Sequence, residues 1–196
     1  MNSVLEKKLF LFKEHVGLLK TSNNYDVYDP NTKEKILYCR ETNLNVLAKF
    51  IRIFFRKYKV FAPFEIVIEE MNNKKLLKIK KGFSFAYPIV KIYDENDNIV
   101  GFFKKKSIIG SSFDMFNKNE KLVCKLEGNL VGWNFKFRIN GNVIGLVTKK
   151  WAGIGKEMFT SADNYILEIK DELEKQNPVR LLILAAVVCI DMVLKE

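Results

Sequence analysis

The feature that most constrains this sequence is a run of ten consecutive apolar residues, Leu181–Ile190. A helix through this run would be apolar on every side, and such helices are buried in a protein core or in a membrane. A membrane span needs about 20 apolar residues, whereas ten helical residues cover only about 15 Å. Arg180 precedes the run and Asp191 follows it. The sequence therefore predicts a buried helix over about 178–194, without a transmembrane span, and a structure that surrounds this helix.

The residues that flank the run favour a defined start and end of the helix. Asn177 can act as the N-cap and Pro178 as the first helical residue, because proline is tolerated where the backbone N–H has no helical partner. Asp191 is the one acidic residue inside the segment. It precedes Lys195 by four positions, a favourable order for an ion pair on a helix, and water or backbone groups are the alternative partners.

Before this helix, one pattern recurs at least five times: two apolar or alternating segments flank a polar turn. Alternation with a period of two around turns rich in Asn, Asp, Pro and Gly is typical of β-hairpins. Asn140-Gly141 is the strongest of these turn signals. The five copies span residues 25–40, 64–81, 89–106, 113–126 and 135–150.

Five hairpins supply ten strands, and the segments 8–13 and 164–170 supply two more. An antiparallel sheet of this size must close or cover its edges. A barrel of about eight strands is filled by its own side chains, so a barrel of about twelve is wide enough for a helix. We therefore expect residues 1–196 to form one mainly β domain, with strands over about 7–170 in a closed barrel around the helix.

Composition limits the setting and the partners. Hydrophobic residues make up 48% of the 196, and the net charge is +10, which favours an anionic partner. The alternative is that dispersed lysines keep a β protein soluble and protect its edges. The start of the sequence lacks the features of a secretory signal, and three widely spaced cysteines, Cys39, Cys124 and Cys189, are typical of reduced thiols. We expect a cytoplasmic protein, peripheral to the inner face of the membrane.

One segment departs from the hairpin pattern. Residues 44–59 place apolar side chains on one helical stripe and basic side chains on another. A basic amphipathic helix is typical of segments that bind membrane surfaces or partners. The alternatives are a helix that caps the barrel and leaves its basic stripe in water, or a phosphate site. The candidate residues for binding lipid or phosphate are Lys49, Arg52, Arg56, Lys57 and Lys59.

The order of motifs resembles the phospholipid scramblase and LURP-one-related family, which has the tubby C-terminal-like fold. The similarity runs over roughly residues 7–196 and is most specific in "GLVTKKWAGIGKEMFTSADNY", 145–165. It implies a twelve-stranded barrel around a hydrophobic C-terminal helix. It also implies contact with phospholipids, which animal scramblases move between leaflets in response to calcium.

The proposed calcium segment of that family corresponds to residues 161–172 here. Ser161 stands where the family has an acid, and the segment lacks the central glycine of a calcium loop. Residues 165–169 alternate like a strand, which would point neighbouring side chains to opposite faces. The family's acidic or amide positions fall on Asp163, Asn164, Glu168, Asp171 and Glu172, and we do not expect them to form a calcium site.

No catalytic constellation is apparent. His15 is the single histidine, and "GIGK" at 153–156 lacks the Ser/Thr and the spacing of a phosphate loop. We therefore expect a non-enzymatic barrel without a cofactor or metal that binds anionic phospholipid headgroups or membrane surfaces. The alternatives are a module that binds nucleic acid or a protein partner, or a true phospholipid scramblase.

Overall fold

The computed structural model describes residues 3–15, 24–42, 62–84, 88–105, 111–129, 132–149 and 164–194. Within these residues, twelve antiparallel strands form a closed barrel, in which each strand pairs with its neighbours in sequence and β1 pairs with β12. This confirms the predicted fold. The strands are β1 Leu9–Glu14, β2 Tyr25–Tyr28, β3 Lys35–Thr42, β4 Phe64–Glu70, β5 Lys75–Lys81, β6 Ile89–Asp94, β7 Ile99–Lys105, β8 Ser112–Asn117, β9 Leu122–Asn129, β10 Asn134–Ile139, β11 Asn142–Thr148 and β12 Asn164–Ile169.

Local sequence explains the strands and their turns. In β5, Leu77 and Ile79 are fully buried inside the barrel, whereas Lys78 and Lys80 point outward. This is the alternation of a strand with one face in a core. Between β10 and β11, Asn140 and Gly141 have φ values of 49° and 85°. Two successive positive φ angles are required by the tight hairpin turn that this pair predicts.

The apolar run forms helix α1, Val179–Cys189, which continues into a π-helical turn over Ile190–Leu194. The segment fills the barrel, and Leu182, Ile183 and Ala186 are at most 1% exposed. Gly101 on β7 lets the wall approach the helix, because a Cβ there would lie 3.2 Å from Leu182 Cδ2. Burial in the barrel replaces the polar face that this helix lacks.

The start of the helix agrees with the prediction from sequence. Asn177 Oδ1 accepts a hydrogen bond from the backbone N–H of Val179 at 3.0 Å. Pro178 already has helical backbone angles, φ −62° and ψ −18°. Asn177 therefore satisfies one of the N–H groups that a helix leaves without an internal partner.

Arg180 is buried in the first turn of the helix, with 2% of its surface exposed. Its guanidinium donates to the backbone carbonyls of Leu5, Leu173 and Lys7 at 2.6, 3.1 and 2.5 Å. A guanidinium can donate several hydrogen bonds in a fixed fork, which suits a cluster of carbonyl acceptors. Arg180 therefore ties the helix start to the segments that flank β1 and follow β12.

Asp191 is buried at the other end of the helix, with 5% of its surface exposed. Tyr165 Oη donates to Asp191 Oδ1 at 2.7 Å, and Tyr25 Oη donates to Asp191 Oδ2. Burial and the adjacent carboxylate raise the pKa of the Tyr25 phenol well above its ordinary value of 10.0. The sequence offered Lys195, water or backbone as partners. Lys195 lies outside the described residues, and the partners observed are two phenols from the barrel wall.

The meander gives the barrel two different ends. Short turns after β2, β4, β6, β8 and β10, and the link from β12 to α1, lie at the end where the helix begins, which we call the hairpin end. The connectors after the odd-numbered strands join strands at the opposite end, where the helix finishes, which we call the connector end. Within the described ranges, no helix is both long enough and apolar enough to cross a bilayer.

Candidate functional site

The five basic residues predicted to bind lipid or phosphate, Lys49, Arg52, Arg56, Lys57 and Lys59, lie outside the described residues. The structure does locate the two ends of their connector. β3 finishes at Thr42 and the chain is described again from Ala62, before β4. Both points are at the connector end of the barrel. Any site that includes these basic residues therefore starts from the rim where the helix finishes.

The charge of the connectors differs between the two ends of the barrel. Connectors at the connector end carry ten basic residues, Lys20, Lys49, Arg52, Arg56, Lys57, Lys59, Lys106, Lys149, Lys150 and Lys156, and two acidic residues, Glu157 and Asp163. Those at the hairpin end carry eight acidic residues, Asp29, Glu34, Glu95, Asp97, Glu120, Asp171, Glu172 and Glu174, and six basic ones, Lys33, Lys74, Lys118, Lys121, Lys170 and Lys175. The excess positive charge is therefore concentrated at the connector end.

The outer wall near this end carries three lysines on adjacent strands, Lys80, Lys91 and Lys104, which we call the lysine row. Lys80 on β5 lies directly opposite Lys91 on β6. Lys104 on β7 lies two residues beyond the partner of Lys91, so these two are diagonal neighbours about 7–8 Å apart. Antiparallel register thus brings lysines from three strands onto one patch of the surface.

Carboxylates do little to neutralise the lysine row. Lys80 Nζ lies 3.3 Å from Glu65 Oε2, and within the described part of the chain Lys91 and Lys104 form no ion pair. At the hairpin end, by contrast, Lys75 and Lys78 both contact the Asp97 carboxylate, at 2.9 and 2.5 Å. Like charges opposite each other destabilise a sheet. The row therefore has a cost to the fold that an anionic partner would relieve.

Exposed apolar side chains accompany the row. Ile89 lies opposite Lys104, with 45% of its surface exposed, and Phe83, just after β5, has 47% exposed. Phe102, the strand partner of Lys91, stacks on Phe116 with ring centroids 5.0 Å apart. Basic and apolar groups on one patch are the combination found on surfaces that bind anionic membranes.

The barrel interior also becomes basic at the connector end. Lys81, the last residue of β5, is 1% exposed, and its ammonium donates to the backbone carbonyls of Ala62 and Gly82 at 3.0 and 3.3 Å. Lys105, the last residue of β7, is also buried. Both occupy the inward phase of their strands. Their ammonium groups lie behind the lysine row and increase the positive potential of this end.

An aromatic group links the rim to the end of the helix. Trp133, which has a positive φ of 45°, stacks on Tyr165 with ring centroids 4.7 Å apart. Lys149 Nζ lies 4.2 Å from the centroid of the Trp133 ring, which is within the range of cation–π attraction. Because Tyr165 also donates to Asp191, the helix end is connected through one aromatic stack to a basic side chain at the rim.

A second polar cluster lies on the outer face of β1–β3, around Asp26. Its carboxylate oxygens lie 2.7 Å from Lys35 Nζ, 2.6 Å from Arg40 Nη2 and 3.0 Å from His15 Nε2. Burial alone would raise the pKa of Asp26, but hydrogen bonds from Lys35, Arg40 and His15 outweigh it and lower the pKa to about 2. His15 therefore takes part in an ion cluster on the barrel wall.

Residues that the family resemblance connects with calcium do not converge. Asp163 lies outside the described residues. Asn164 and Glu168 belong to β12, and Asp171 forms an ion pair with Lys8 at 2.5 Å. Within the described ranges, no group of three or more His, Cys, Asp or Glu side chains is arranged to hold a metal ion. The "GIGK" segment lies outside those ranges.

Comparison with known proteins identifies the family. The sequence profile of the family named Scramblase matches residues 5–196, nearly the whole chain. The protein belongs to the scramblase family. This confirms the resemblance seen in the sequence, and it is the family of the closed barrel described above.

Two relatives show how far the likeness extends. The Saccharomyces cerevisiae protein "Altered inheritance rate of mitochondria protein 25" is 21% identical over 202 residues, which cover 86% of this chain and 58% of the yeast protein. The chain thus spans a little over half of that relative. An X-ray structure of an Arabidopsis thaliana protein has a TM-score of 0.57 and 11% identity, and covers 96% of this chain and 93% of its own. At that identity the likeness concerns the fold.

Sequence reasoning missed the lysine row and the two buried lysines, although the signals were present. Lys81 follows Leu77 and Ile79 at intervals of two, so its inward phase can be read from the alternation. The polarity of the two ends appears once alternate connectors of the meander are assigned to opposite ends. What was seen instead was the total charge, which does not reveal this separation.

Proposed function

We propose that this protein is a non-enzymatic member of the scramblase family that binds anionic phospholipid surfaces through the connector end of its barrel. The lysine row carries the proposal, because it is a patch of like charge, only partly neutralised, beside the exposed Ile89 and Phe83. The connector that contains Lys49–Lys59 leaves the barrel at the same end. We infer that both contribute to one basic surface.

The strength expected of such a surface is modest. Each Lys or Arg near an anionic leaflet contributes about 1 kcal/mol. The three lysines of the row would then contribute about 3 kcal/mol, a factor of about 100 in affinity. Reversible, peripheral association follows, and anionic headgroups rather than neutral ones are the partner.

Vesicle co-sedimentation tests this proposal. The wild-type protein should sediment with phosphatidylcholine vesicles that contain phosphatidylserine and not with phosphatidylcholine alone. Changing Lys80, Lys91 and Lys104 together to Gln should weaken binding about 100-fold at low salt, since three favourable charges are removed. The fold should remain, because exposed charges add little to stability.

A matched variant controls for net charge. Lys33, Lys121 and Lys175 are exposed lysines at the hairpin end, and changing them to Gln removes the same total charge. This variant should keep nearly all of its affinity for the vesicles. Equal losses in the two triple variants would show that only net charge matters and would contradict a site at the connector end.

Nucleic acid is the second candidate, favoured by the outer face of β2 and β3. Tyr28 and Tyr38 lie there among Lys13, Lys35 and Arg40. The tyrosine rings already contact these cations, with Lys35 Nζ 5.0 Å and the Arg40 guanidinium carbon 4.9 Å from the Tyr38 centroid. Stacking of bases would have to displace them. A gel-shift assay at the same salt as the vesicle assay discriminates between the two ligands.

Movement of lipids between leaflets is less favoured by the geometry. The helix fills the barrel and is tied at one end by Arg180 and at the other by Asp191. A lipid path through the barrel would require both ties to open. A dithionite assay on vesicles with fluorescent lipid tests this directly, and the proposed binding function predicts no acceleration of lipid exchange.

A further inference from the structure

A cleft at the hairpin end lies apart from the lysine row. It has a volume of about 780 Å³ and lies between the first turn of α1 and the turns that follow β6 and β8. Small-molecule sites in proteins are mostly apolar concavities of about 300–1,000 Å³. The cleft therefore has the size of a ligand site, and the surface proposed above does not use it.

Apolar side chains form the body of the cleft. Leu182, which is buried, and Leu181 are contributed by the helix, and Val100 and Val123 by the barrel wall. Ile99 extends the apolar lining outward and has 43% of its surface exposed. An exposed isoleucine continuous with a buried apolar floor suits an elongated hydrocarbon chain that enters from solvent.

The polar groups at the mouth are unequal on its two sides. On the side of the β6–β7 turn, Asp94 accepts hydrogen bonds from the backbone N–H groups of Asn96 and Asn98, both at 2.9 Å, and from the Asn98 side-chain amide at 3.2 Å. These bonds belong to the turn and hold the pKa of Asp94 below its ordinary value against the effect of burial. This carboxylate is therefore already engaged.

The side of the β8–β9 turn offers free donors. Within the described residues, the Lys118 ammonium forms no ion pair and the Asn119 side-chain amide no hydrogen bond, and both residues line the cleft. Asn117 Oδ1 accepts from the backbone N–H groups of Asn119 and Lys121, both at 3.0 Å, and so fixes this turn. A cation and an amide donor are thus held beside an apolar channel.

We propose that this cleft binds one long-chain acyl amphiphile with an anionic head. The hydrocarbon chain lies along Val123, Leu181 and Leu182, and the carboxylate or phosphate of the head contacts Lys118 and Asn119. The charge at the β8–β9 side selects an anionic head over a neutral one, and the apolar floor selects an acyl tail over a free anion. The proposal does not depend on membrane binding, since the lysine row is at the other end of the barrel.

Displacement of fluorescent cis-parinaric acid from the full chain tests the proposal. The probe should bind saturably, with one molecule per chain. Oleate should displace it, oleyl alcohol should do so more weakly because it lacks the charge, and propionate should not displace it because it lacks the tail. Absence of saturable binding, or equal displacement by oleate and oleyl alcohol, would overturn the assignment.

Two pairs of variants locate the head and the tail. Lys118→Glu should weaken binding of oleate about fivefold to tenfold and leave oleyl alcohol unaffected, whereas Lys121→Glu, on the same turn but outside the cleft, should change neither. Ile99→Asn should weaken both ligands, and Leu122→Asn, at a residue 41% exposed outside the cleft lining, should weaken neither. Equal effects within either pair would refute the site. Vesicle binding by Lys118→Glu should equal that of the wild type, so the two proposals fail independently.

Discussion

Asp26 shows how one carboxylate can organise a charged surface. It lies against the barrel wall, 6% exposed, and engages Lys35, Arg40 and His15. Because its pKa in the folded protein is about 2 and its ordinary value is 3.8, folding favours the ionised form. A depressed pKa gives stability that is fully present above about pH 4 and is lost as the pH falls through about 2.

Asp26→Asn should therefore destabilise the protein by about 2 kcal/mol at pH 7. The difference from the wild type should narrow as the pH falls from about 4 toward about 2, because the wild-type carboxylate then takes up its proton. Urea unfolding at a series of pH values measures both effects.

Asp114→Asn is the matched control for that measurement. Asp114 also lies on the outer wall, opposite Lys104 and Lys125, and forms no ion pair within the described residues. Its substitution should change the free energy of unfolding by less than about 0.5 kcal/mol at any of these pH values. A constant gap between wild type and Asp26→Asn down to pH 2 would mean that the cluster around Asp26 does not lower its pKa.

At the scale of elements, helix α1 is the core of the barrel rather than an appendage. Most of its residues are buried on every side, and its first and last turns are bonded to the wall through Arg180 and Asp191. A helix with no polar face is stable only in such an enclosure. The strands and the helix therefore depend on each other for their apolar surfaces.

Ala186→Arg tests this dependence. Ala186 is 1% exposed, so the substitution would bury a charge with no partner and should abolish cooperative unfolding. Leu181→Arg, at a partly exposed position on the same helix, should retain a cooperative thermal transition. Circular dichroism melting curves compare the two. An unchanged curve for Ala186→Arg would place the helix outside the core.

The elements were predictable from sequence because their signals are local. Alternation identified all twelve strands, and Asn177-Pro178 marked the helix start. The partners of the buried charges were not predictable in the same way. Arg180 bonds to Leu5, 175 positions away, and Asp191 to Tyr25, 166 positions away. Such contacts depend on closure of the barrel and on the register of every strand between them.

For the whole molecule, the separation of charge between the two ends gives the protein a direction. An uneven charge distribution orients a molecule as it approaches a charged surface. The connector end would face an anionic membrane and the hairpin end, with its acyl cleft, would face away. The basic residues of the connector 43–61 then lie on the approaching side with the lysine row.

Changing Arg52, Arg56 and Lys59 together to Gln should weaken binding to anionic vesicles by about 3 kcal/mol at low salt. Binding of the wild type should fall steeply as salt rises, because the Debye length shrinks from about 10 Å at 0.1 M to about 3 Å at 1 M. Co-sedimentation across a salt series measures both. Binding that is indifferent to salt and to this triple change would exclude the connector from the membrane site.

A second variant separates a membrane-facing stripe from a cap. Changing Phe50 and Phe54 to Ser would lose vesicle binding with unchanged stability if their stripe faces lipid. If the segment covers the barrel instead, the same change would lower stability by about 1.5–3 kcal/mol for each side chain, since their burial is lost. Thermal melting beside the vesicle assay gives both readings.

The position of the filling helix after the last strand has a consequence during synthesis. Strand β1 has to wait for β12, its partner, and the inward faces of all twelve strands wait for the helix that follows. At translation rates of about 5–20 residues per second, the first 170 residues take roughly 10–30 s to make. The nascent chain spends that interval with its apolar faces uncovered and unable to close. This protein is therefore most prone to aggregation while it is still on the ribosome.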